Sequence, residues 1–146
     1  MDDLDQKVRG SHTPEQLALV RRQMRAWTDG DVEGAVPDWA VNGVLTAPRG
    51  IRARTADLPG VIRQWAEMFG DLEIGLRSLF ASEDGRWLAI EWTWTVTRRS
   101  DGARGAAADA IIAELDEDGL IVGWREYFDT FGSVEFGFSA PADPGK

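Results

Sequence analysis

The stretch that most constrains the fold is Ile121–Asp129, which reads IVGWREYFD and follows a turn signal at Asp116–Gly119. Successive side chains of a strand point to opposite faces of the sheet. One face of this strand would carry Val122, Trp124, Glu126 and Phe128, and the other face Ile121, Gly123, Arg125 and Tyr127. Large side chains on both faces predict a central strand. A carboxylate between two aromatic rings is costly to bury, so Glu126 is a candidate functional residue.

Composition limits the function classes that fit this chain. Its 146 residues predict one domain spanning 1–146. The formal charge of −9 disfavours nucleic acid and anionic membranes as partners. The chain has no cysteine and one histidine, His12, so we expect no metal site and no cofactor. It also lacks a signal peptide and any run of about 18 apolar residues, which predicts a cytoplasmic protein.

Helical patterns dominate the first half of the sequence. Thr13–Gln16 reads as a capping box with Pro14 at the first helical position, and apolar residues then recur at helical spacing as far as Trp27. Asp31 caps a short second helix that ends at about Val36. A third helix opens at Asp57. Its apolar face is Leu58, Val61, Ile62, Trp65, Met68 and Phe69. Residues 1–12 are expected to form a loose arm.

Strand patterns dominate the second half. Gly43–Ala47 is a short predicted strand, and the arginines of the following segment 49–54 predict a solvated loop. Longer strands are predicted at Leu72–Phe80, Trp87–Arg98, Ala106–Leu115 and Ile121–Asp129. A short helix or loop to about Phe138 and a flexible tail over 139–146 would follow an ordered core of about 14–131. The order ααβαββββ predicts an α+β fold with antiparallel strands.

The segment Gly119–Asp129 also resembles a known family. Its pattern G-x-I-x-x-W-R-E-Y-F-D is similar to that of the SnoaL-like group of the NTF2-like superfamily. This group includes polyketide cyclases, limonene-epoxide hydrolase and ketosteroid isomerase. The resemblance implies an NTF2-like cone, in which three N-terminal helices pack on a curved, mostly antiparallel sheet that encloses an apolar pocket.

The catalytic groups of ketosteroid isomerase are missing at the matching positions. The segments Gly30–Gly34 and Thr46–Gly50 match two isomerase segments in spacing. The isomerase's general base then falls on Ala47, its oxyanion-hole tyrosine on Gln23, and its protonated aspartate near Ile111. An isomerase mechanism needs a base and two acid donors, so this activity is disfavoured.

Limonene-epoxide hydrolase matches at one acid only. Its R-x-D pair falls on Trp92-Thr93-Trp94, and the first aspartate of its W-R-D-Y-F-D segment falls on Glu126. Water activation depends on the whole oriented network of acid, arginine and acid. By this resemblance, the chain keeps one carboxylate of the hydrolase's acid–arginine–acid network. Indole side chains occupy the positions of the other two groups.

Strand parity and helical spacing together predict the lining of a pocket. The inward positions of the strand before the last hold Ala107, Asp109, Ile111, Ala113 and Leu115. The candidate catalytic residues are Glu126 and Asp109. The candidate substrate-binding residues are Gln23, Met24, Trp27, Trp65, Trp92, Trp94, Ile111, Trp124 and Phe128.

Each candidate also has a purely structural interpretation. Trp92 and Trp94 could fill the core between helix and sheet. Asp109 lies a few residues from a hairpin and could be solvated at the sheet edge. Glu126 could form an ion pair with Arg49, Arg52 or Arg54.

Two functional hypotheses follow. The first is a SnoaL-like cyclase that closes a ring in a polyketide or polyene-like biosynthetic intermediate, possible routes including cycloaddition, with Glu126 moving a proton or orienting a carbonyl. The alternative is a non-catalytic binder of a small apolar molecule, or an epoxide hydrolase or isomerase with a changed active site. The face carrying Glu91, Thr93, Thr95, Arg125 and Tyr127 is expected to pair with a second subunit, because the resemblance implies a homodimer.

Overall fold

The computed structural model describes residues 8–129. Helix α1 (Pro14–Asp29) begins at the predicted capping box, since the Thr13 hydroxyl accepts from the Gln16 N–H and the Gln16 side chain accepts from the Thr13 N–H. It ends at Gly30, whose φ of 74° continues the chain in the left-handed region. The structure therefore confirms the start that the capping box predicted for this helix.

Two further helices pack near α1. Asp31 caps the short helix α2 (Val32–Ala35), and a 3₁₀ turn follows at Val36–Asp38. A second 3₁₀ turn at Thr55–Asp57 leads into α3 (Leu58–Met68). In the described part of the chain, 8–129, no helix is long and apolar enough to cross a membrane.

Within residues 8–129, six strands form one sheet in the order β2-β1-β6-β5-β4-β3. Their bounds are β1 Trp39–Ala47, β2 Ile51–Arg54, β3 Phe69–Ala81, β4 Trp87–Arg98, β5 Arg104–Leu115 and β6 Ile121–Phe128. The β1–β6 pair is parallel and the other pairs are antiparallel. The α+β class and the central position of the last strand are thus confirmed.

The prediction of a solvated loop at 49–54 was wrong. Residues 51–54 form β2, which pairs with the end of β1 from Val44↔Arg54 to Ala47↔Ile51. Only Ala53 is buried on this strand, so the sequence carries almost no alternation of apolar and polar residues. The observed element order is therefore ααββαββββ, with one strand more than predicted.

A bulge changes the face assigned to Ile121. Leu115 pairs with Ile121, whereas Glu114 pairs with Gly123, so Val122 is an extra residue in the ladder. Ile121 consequently points into the core and is fully buried, instead of sharing the outer face with Tyr127. From Trp124 onward the predicted parity holds, because Glu126 and Phe128 line the inner side of the sheet.

The expected loose arm is ordered from residue 8 onward. Arg9 forms a parallel bridge to Ser78, and Val8 packs against the core. His12 Nδ1 lies 2.9 Å from the Leu79 carbonyl oxygen, which fixes this segment along β3. The predictions for residues 1–7, for the segment to Phe138 beyond residue 129, and for the tail at 139–146 lie outside the described residues.

The core lies between the helices and the inner face of the sheet. Ile90, Trp92, Trp94 and Val96 of β4 are buried, as are Ala107, Asp109, Ile111, Ala113 and Leu115 of β5. The period-two pattern predicted both sets. This inner face is the surface on which the functional site is built.

Candidate active site

A cavity of about 410 Å³ opens between α1, α3 and the inner face of the sheet. This volume is within the usual range for small-molecule sites. The wall is formed by Trp27, Leu45, Ala47, Arg49, Gly50, Ile51, Val61, Gln64, Trp65, Met68, Leu72, Ile74, Trp92, Trp94, Glu126 and Phe128. Most of these side chains are apolar, and four are indoles.

The indoles form a connected wall by edge-to-face contacts. The Trp65 ring lies 6.2 Å from the Trp27 ring and 5.9 Å from the Trp94 ring, at 84° and 87°. Trp94 in turn meets the Phe128 ring at 5.4 Å and 83°. Aromatic rings favour this perpendicular arrangement, which fixes their orientation. The cavity therefore has a wall of fixed shape.

Asp109 lies behind that wall, at 3% exposure. It faces Trp92 across the β4–β5 ladder. The indole N–H groups of Trp92 and Trp94 both donate to Asp109 Oδ2, each at 3.2 Å. Burial raises the pKa of Asp109, and these bonds, together with one to Glu126, only partly offset that effect.

Glu126 occupies the cavity wall itself. It lies beside Ile111 across the β5–β6 ladder, and its Oε2 accepts from the Trp124 indole N–H at 2.8 Å. Burial raises the pKa of Glu126 well above its ordinary value. The negative charge of Asp109 and the hydrogen bond with it raise this pKa further, while the Trp124 bond acts in the opposite direction.

The two carboxyl groups interact directly. Each forms a hydrogen bond with the other, and burial raises the pKa of both. Two adjacent carboxylates do not both ionise readily, so this arrangement favours a proton held between them. Glu126 presents the pair to the cavity, and Asp109 lies behind it.

The structure brings together six of the predicted site residues at the cavity. Trp27, Trp65, Trp92, Trp94, Glu126 and Phe128 line it, and Trp92 and Trp94 are buried as well, so both interpretations of these indoles apply. Asp109 and Trp124 touch the site through Glu126 rather than lining it.

Besides Trp124, three predicted substrate-binding residues do not line the cavity. Ile111 is fully buried in the core, and Met24 packs against that core. The Gln23 amide group donates to the Ala35 carbonyl and to Asp38 Oδ2 and accepts from the Trp39 indole N–H. These bonds join α1 to the start of β1, so the Gln23 side chain is fully used away from the cavity.

The purely structural interpretations of Asp109 and Glu126 do not hold. Asp109 is buried rather than solvated at an edge. Among residues 8–129, no ion pair joins Glu126 to an arginine, although Arg49 lines the same cavity. Each acid is held by indole N–H groups and by the other acid.

Sequence reasoning missed part of the wall. Val61 and Met68 share the helical face of Trp65, and Leu72 and Ile74 alternate along β3, so helical and strand periodicity could have found them. Arg49, Gly50 and Ile51 belong to the hairpin that was interpreted as a loop. Gln64 carries no distinguishing signal in the sequence.

The described residues offer no evident metal centre. In the range 8–129, no group of three or more histidine, aspartate or glutamate side chains is placed to hold a metal ion.

Solved structures of the same fold come from several sources. An LEH-like epoxide hydrolase from M. tuberculosis is 20% identical, with 90% of this chain and 98% of that chain covered and a TM-score of 0.69. A proposed polyketide cyclase from Acidithiobacillus ferrooxidans is 18% identical, with coverage of 86% and 95% and a TM-score of 0.69. AclR, a proposed hydroxylase from Streptomyces galilaeus, is 21% identical, with coverage of 86% and 87% and a TM-score of 0.68.

These likenesses establish the shared NTF2-like fold. A search of curated proteins found no match. Residues 20–124 match the family described as the SnoaL-like domain. The match covers more than half of the chain and includes part of α1, all of α3 and the sheet up to Trp124. The chain therefore belongs to the SnoaL-like domain family.

Proposed function

We propose that the protein is a cyclase that promotes ring closure in an apolar polyketide- or polyene-like intermediate, with the carboxyl group of Glu126 as general acid. One observation carries this proposal: a carboxyl group lies on the wall of an indole-lined cavity, and burial beside Asp109 raises its pKa well above the ordinary value. A general acid must hold its proton at the working pH, and a raised pKa favours that state.

Asp109 would act as a positioning residue. Its Oδ2 is fixed by the Trp92 and Trp94 indoles, so its charge lies in a constant place behind Glu126. That charge keeps the proton on Glu126 in the resting state. After the proton has moved to substrate, the Trp124 N–H stabilises the new Glu126 carboxylate.

A ring closure by addition to a carbonyl balances with these groups alone. An enol carbon of the substrate forms a bond to the carbonyl carbon, and the carbonyl oxygen takes the Glu126 proton to become a hydroxyl. The enol oxygen then loses its own proton to the Glu126 carboxylate, which restores the acid. Substrate and product are isomers, and no other reactant is consumed.

The rigid wall would contribute through shape. A flexible substrate loses conformational entropy when it folds for ring closure. In a preformed cavity this loss occurs when the substrate binds, so it no longer adds to the barrier of the chemical step. The edge-to-face contacts among Trp27, Trp65 and Trp94 fix the wall before substrate arrives. The same wall could assist a cycloaddition, in which the Glu126 hydrogen bond would withdraw electrons from a substrate carbonyl.

An epoxide hydrolase reaction fits the site less well. Such an enzyme needs a base that can take a proton from water as well as an acid. Asp109 lies behind the wall, and Trp94 occupies the position that the resemblance assigns to the hydrolase's second acid. Among residues 8–129, Glu126 is thus the one carboxyl group on the cavity wall. This arrangement favours an acid acting alone on a bound substrate.

The test uses a naphthyl-substituted 1,5-diketone, whose intramolecular closure gives a cyclic ketol of unchanged mass. We expect the parent protein to accelerate closure, followed by liquid chromatography and mass spectrometry. Glu126→Gln should lower the rate by about a hundredfold or more, because general acid catalysis contributes about 10²–10⁴-fold.

The matched control is Glu73→Gln, which removes an exposed glutamate on β3. We expect this variant to keep the parent rate. Equal rates for Glu126→Gln and the parent, with both folded, would remove Glu126 from the chemistry. Binding of the diketone without conversion, measured by quenching of tryptophan fluorescence, would instead support the non-catalytic ligand binder.

A further inference from the structure

The polarity of the cavity wall changes with depth. Leu45, Trp92 and Trp94 are buried and mark its inner end. Arg49, Gly50 and Gln64 are exposed although they belong to the same wall, so they mark its mouth. A molecule that fills the cavity would meet indoles at one end and a guanidinium group at the other.

Arg49 has an unusual backbone conformation for its residue type. Its φ is 68°, in the left-handed region where glycine and asparagine are preferred. Gly50 follows with a φ of 79°, and the two residues form the connection between β1 and β2. An arginine at such a position costs conformational free energy, which makes its side chain a candidate for a functional role.

The Arg49 side chain makes no polar contact within the described part of the chain. Other arginines in residues 8–129 are bound: Arg22 to Asp38, Arg98 to Asp101, and Arg86 to the Leu115 carbonyl. The Arg49 guanidinium makes neither a hydrogen bond nor an ion pair with another described residue. Within residues 8–129, no side chain uses its five donors, which can bind a ligand at the cavity mouth.

We infer that Arg49 forms an oxyanion subsite at the mouth of the cavity, so that the substrate is an amphipathic molecule with an apolar body and a carboxylate or similar oxyanion at one end. This inference rests on the proposed function in that it takes the cavity as the substrate site. The guanidinium fork matches a carboxylate in two parallel hydrogen bonds, and Gln64 adds an amide group on the same rim.

The charge of the whole chain makes a local cation necessary for such a ligand. A formal charge of −9 repels anions at long range. Glu126 on the same wall is neutral when protonated, and in that state it does not oppose an anion held by Arg49. The subsite would also fix the direction of entry, with the uncharged reacting end of the substrate placed toward Glu126.

The experiment compares two probes that differ only in charge: anthraquinone-2-carboxylate and its methyl ester. Binding is measured by quenching of tryptophan fluorescence at low salt. We expect the parent protein to bind the carboxylate about fivefold to tenfold more tightly than the ester, a partly screened charge-assisted pair. Arg49→Gln should abolish this preference, and Arg49→Lys should restore part of it.

The matched control is Arg52→Gln, which removes an exposed arginine of β2 that does not line the cavity. It should keep the parent preference. Ester binding without any preference for the carboxylate, or a preference that survives in Arg49→Gln, would overturn the oxyanion subsite while leaving the proposed function in place. If neither probe binds, the proposed function and this inference both fail.

Discussion

At the level of single residues, the ionisation of Glu126 connects the chemistry of the site to the stability of the fold. Its pKa in the folded protein is raised above the ordinary value of 4.5, by burial first and then by Asp109. The folded state therefore binds this proton more tightly than the unfolded chain does. That contribution to stability is fully present below pH 4.5 and is lost as the pH rises through the raised folded pKa.

We therefore expect the melting temperature of the parent protein to fall between pH 5 and pH 9. Each tenfold gain in proton affinity on folding corresponds to about 1.4 kcal/mol, or about 4 °C for a domain of this size. Glu126→Gln cannot ionise and should melt with a flatter pH profile. Scanning calorimetry across this range, with Glu73→Gln as the control that keeps the parent slope, measures the difference.

Equal slopes in the parent and Glu126→Gln would mean that Glu126 is ionised in the folded state. The general-acid role would then be untenable, since the acid would hold no proton to give. Asp109 acts in the same direction as Glu126, because its pKa is also raised by burial. A small residual slope in Glu126→Gln is therefore consistent with the carboxyl pair.

At the level of secondary-structure elements, β4 carries both the core and the cavity wall. Trp92 and Trp94 alternate with threonines, and this sharp period made β4 predictable to the residue. Their side chains fill space beneath α3 and also face the cavity. From the sequence, core packing and pocket lining were alternatives for Trp92 and Trp94. In the structure the two side chains do both.

We expect Trp92→Ala to lower the free energy of unfolding by about 3–5 kcal/mol, because it opens a cavity and removes a donor from buried Asp109. Trp87→Ala is the matched control on the same strand. Trp87 is exposed and contacts Arg125 at 5.9 Å from its ring centre, so its loss should cost about 1 kcal/mol or less. Urea unfolding of both variants measures these values.

A cost for Trp92→Ala no greater than that for Trp87→Ala would show that the inner face of β4 does not hold the fold together. Trp92→Ala should also weaken the quenching produced by an aromatic ligand, because the variant loses one of the four indoles of the wall. Loss of stability with unchanged ligand affinity would assign Trp92 to the core alone.

Elements with regular burial were readable from the sequence, and elements without it were not. The capping box of α1 and the alternation along β4 and β5 reflect local rules, so their bounds were predicted closely. The first residues of β1 include exposed Val41 and a register shift between Trp39 and Val44 in the pairing with β6, which leaves no period to detect. Its start was therefore placed at Gly43.

Residues of the candidate site were likewise predictable where they lie on elements with regular burial. The alternation of side chains along β6 identified Glu126 as an inward-facing acid, because Trp124 and Phe128 lie on the same face. The sequence could not distinguish a buried Asp109 from a solvated one, since that depends on two indoles brought to it across the β4–β5 ladder. The sequence did not predict that Arg49 lines the cavity, because the turn between β1 and β2 was interpreted as a solvated loop.

At the level of the whole molecule, the two faces of the sheet differ in character. The inner face carries the core and the site. On the outer face, Ala108 and Ala110 of β5 are exposed near Tyr127, whose exposure is 56%. Phe80 and Trp87 are exposed on the same sheet. Exposed apolar side chains that lie together are typical of a protein–protein interface.

We expect this outer face to pair with a second copy of the chain. Sedimentation at micromolar concentration should give about twice the chain mass of 16.1 kDa. Ala110 lies between Glu91 and Tyr127 across the ladders, so Ala110→Arg would place a charge at the centre of the face and should yield the monomer. Ala18→Arg, at an exposed position of α1, is the matched control and should remain dimeric. A parent protein that sediments near 16 kDa, or an Ala110→Arg variant that stays dimeric, would contradict pairing through this face.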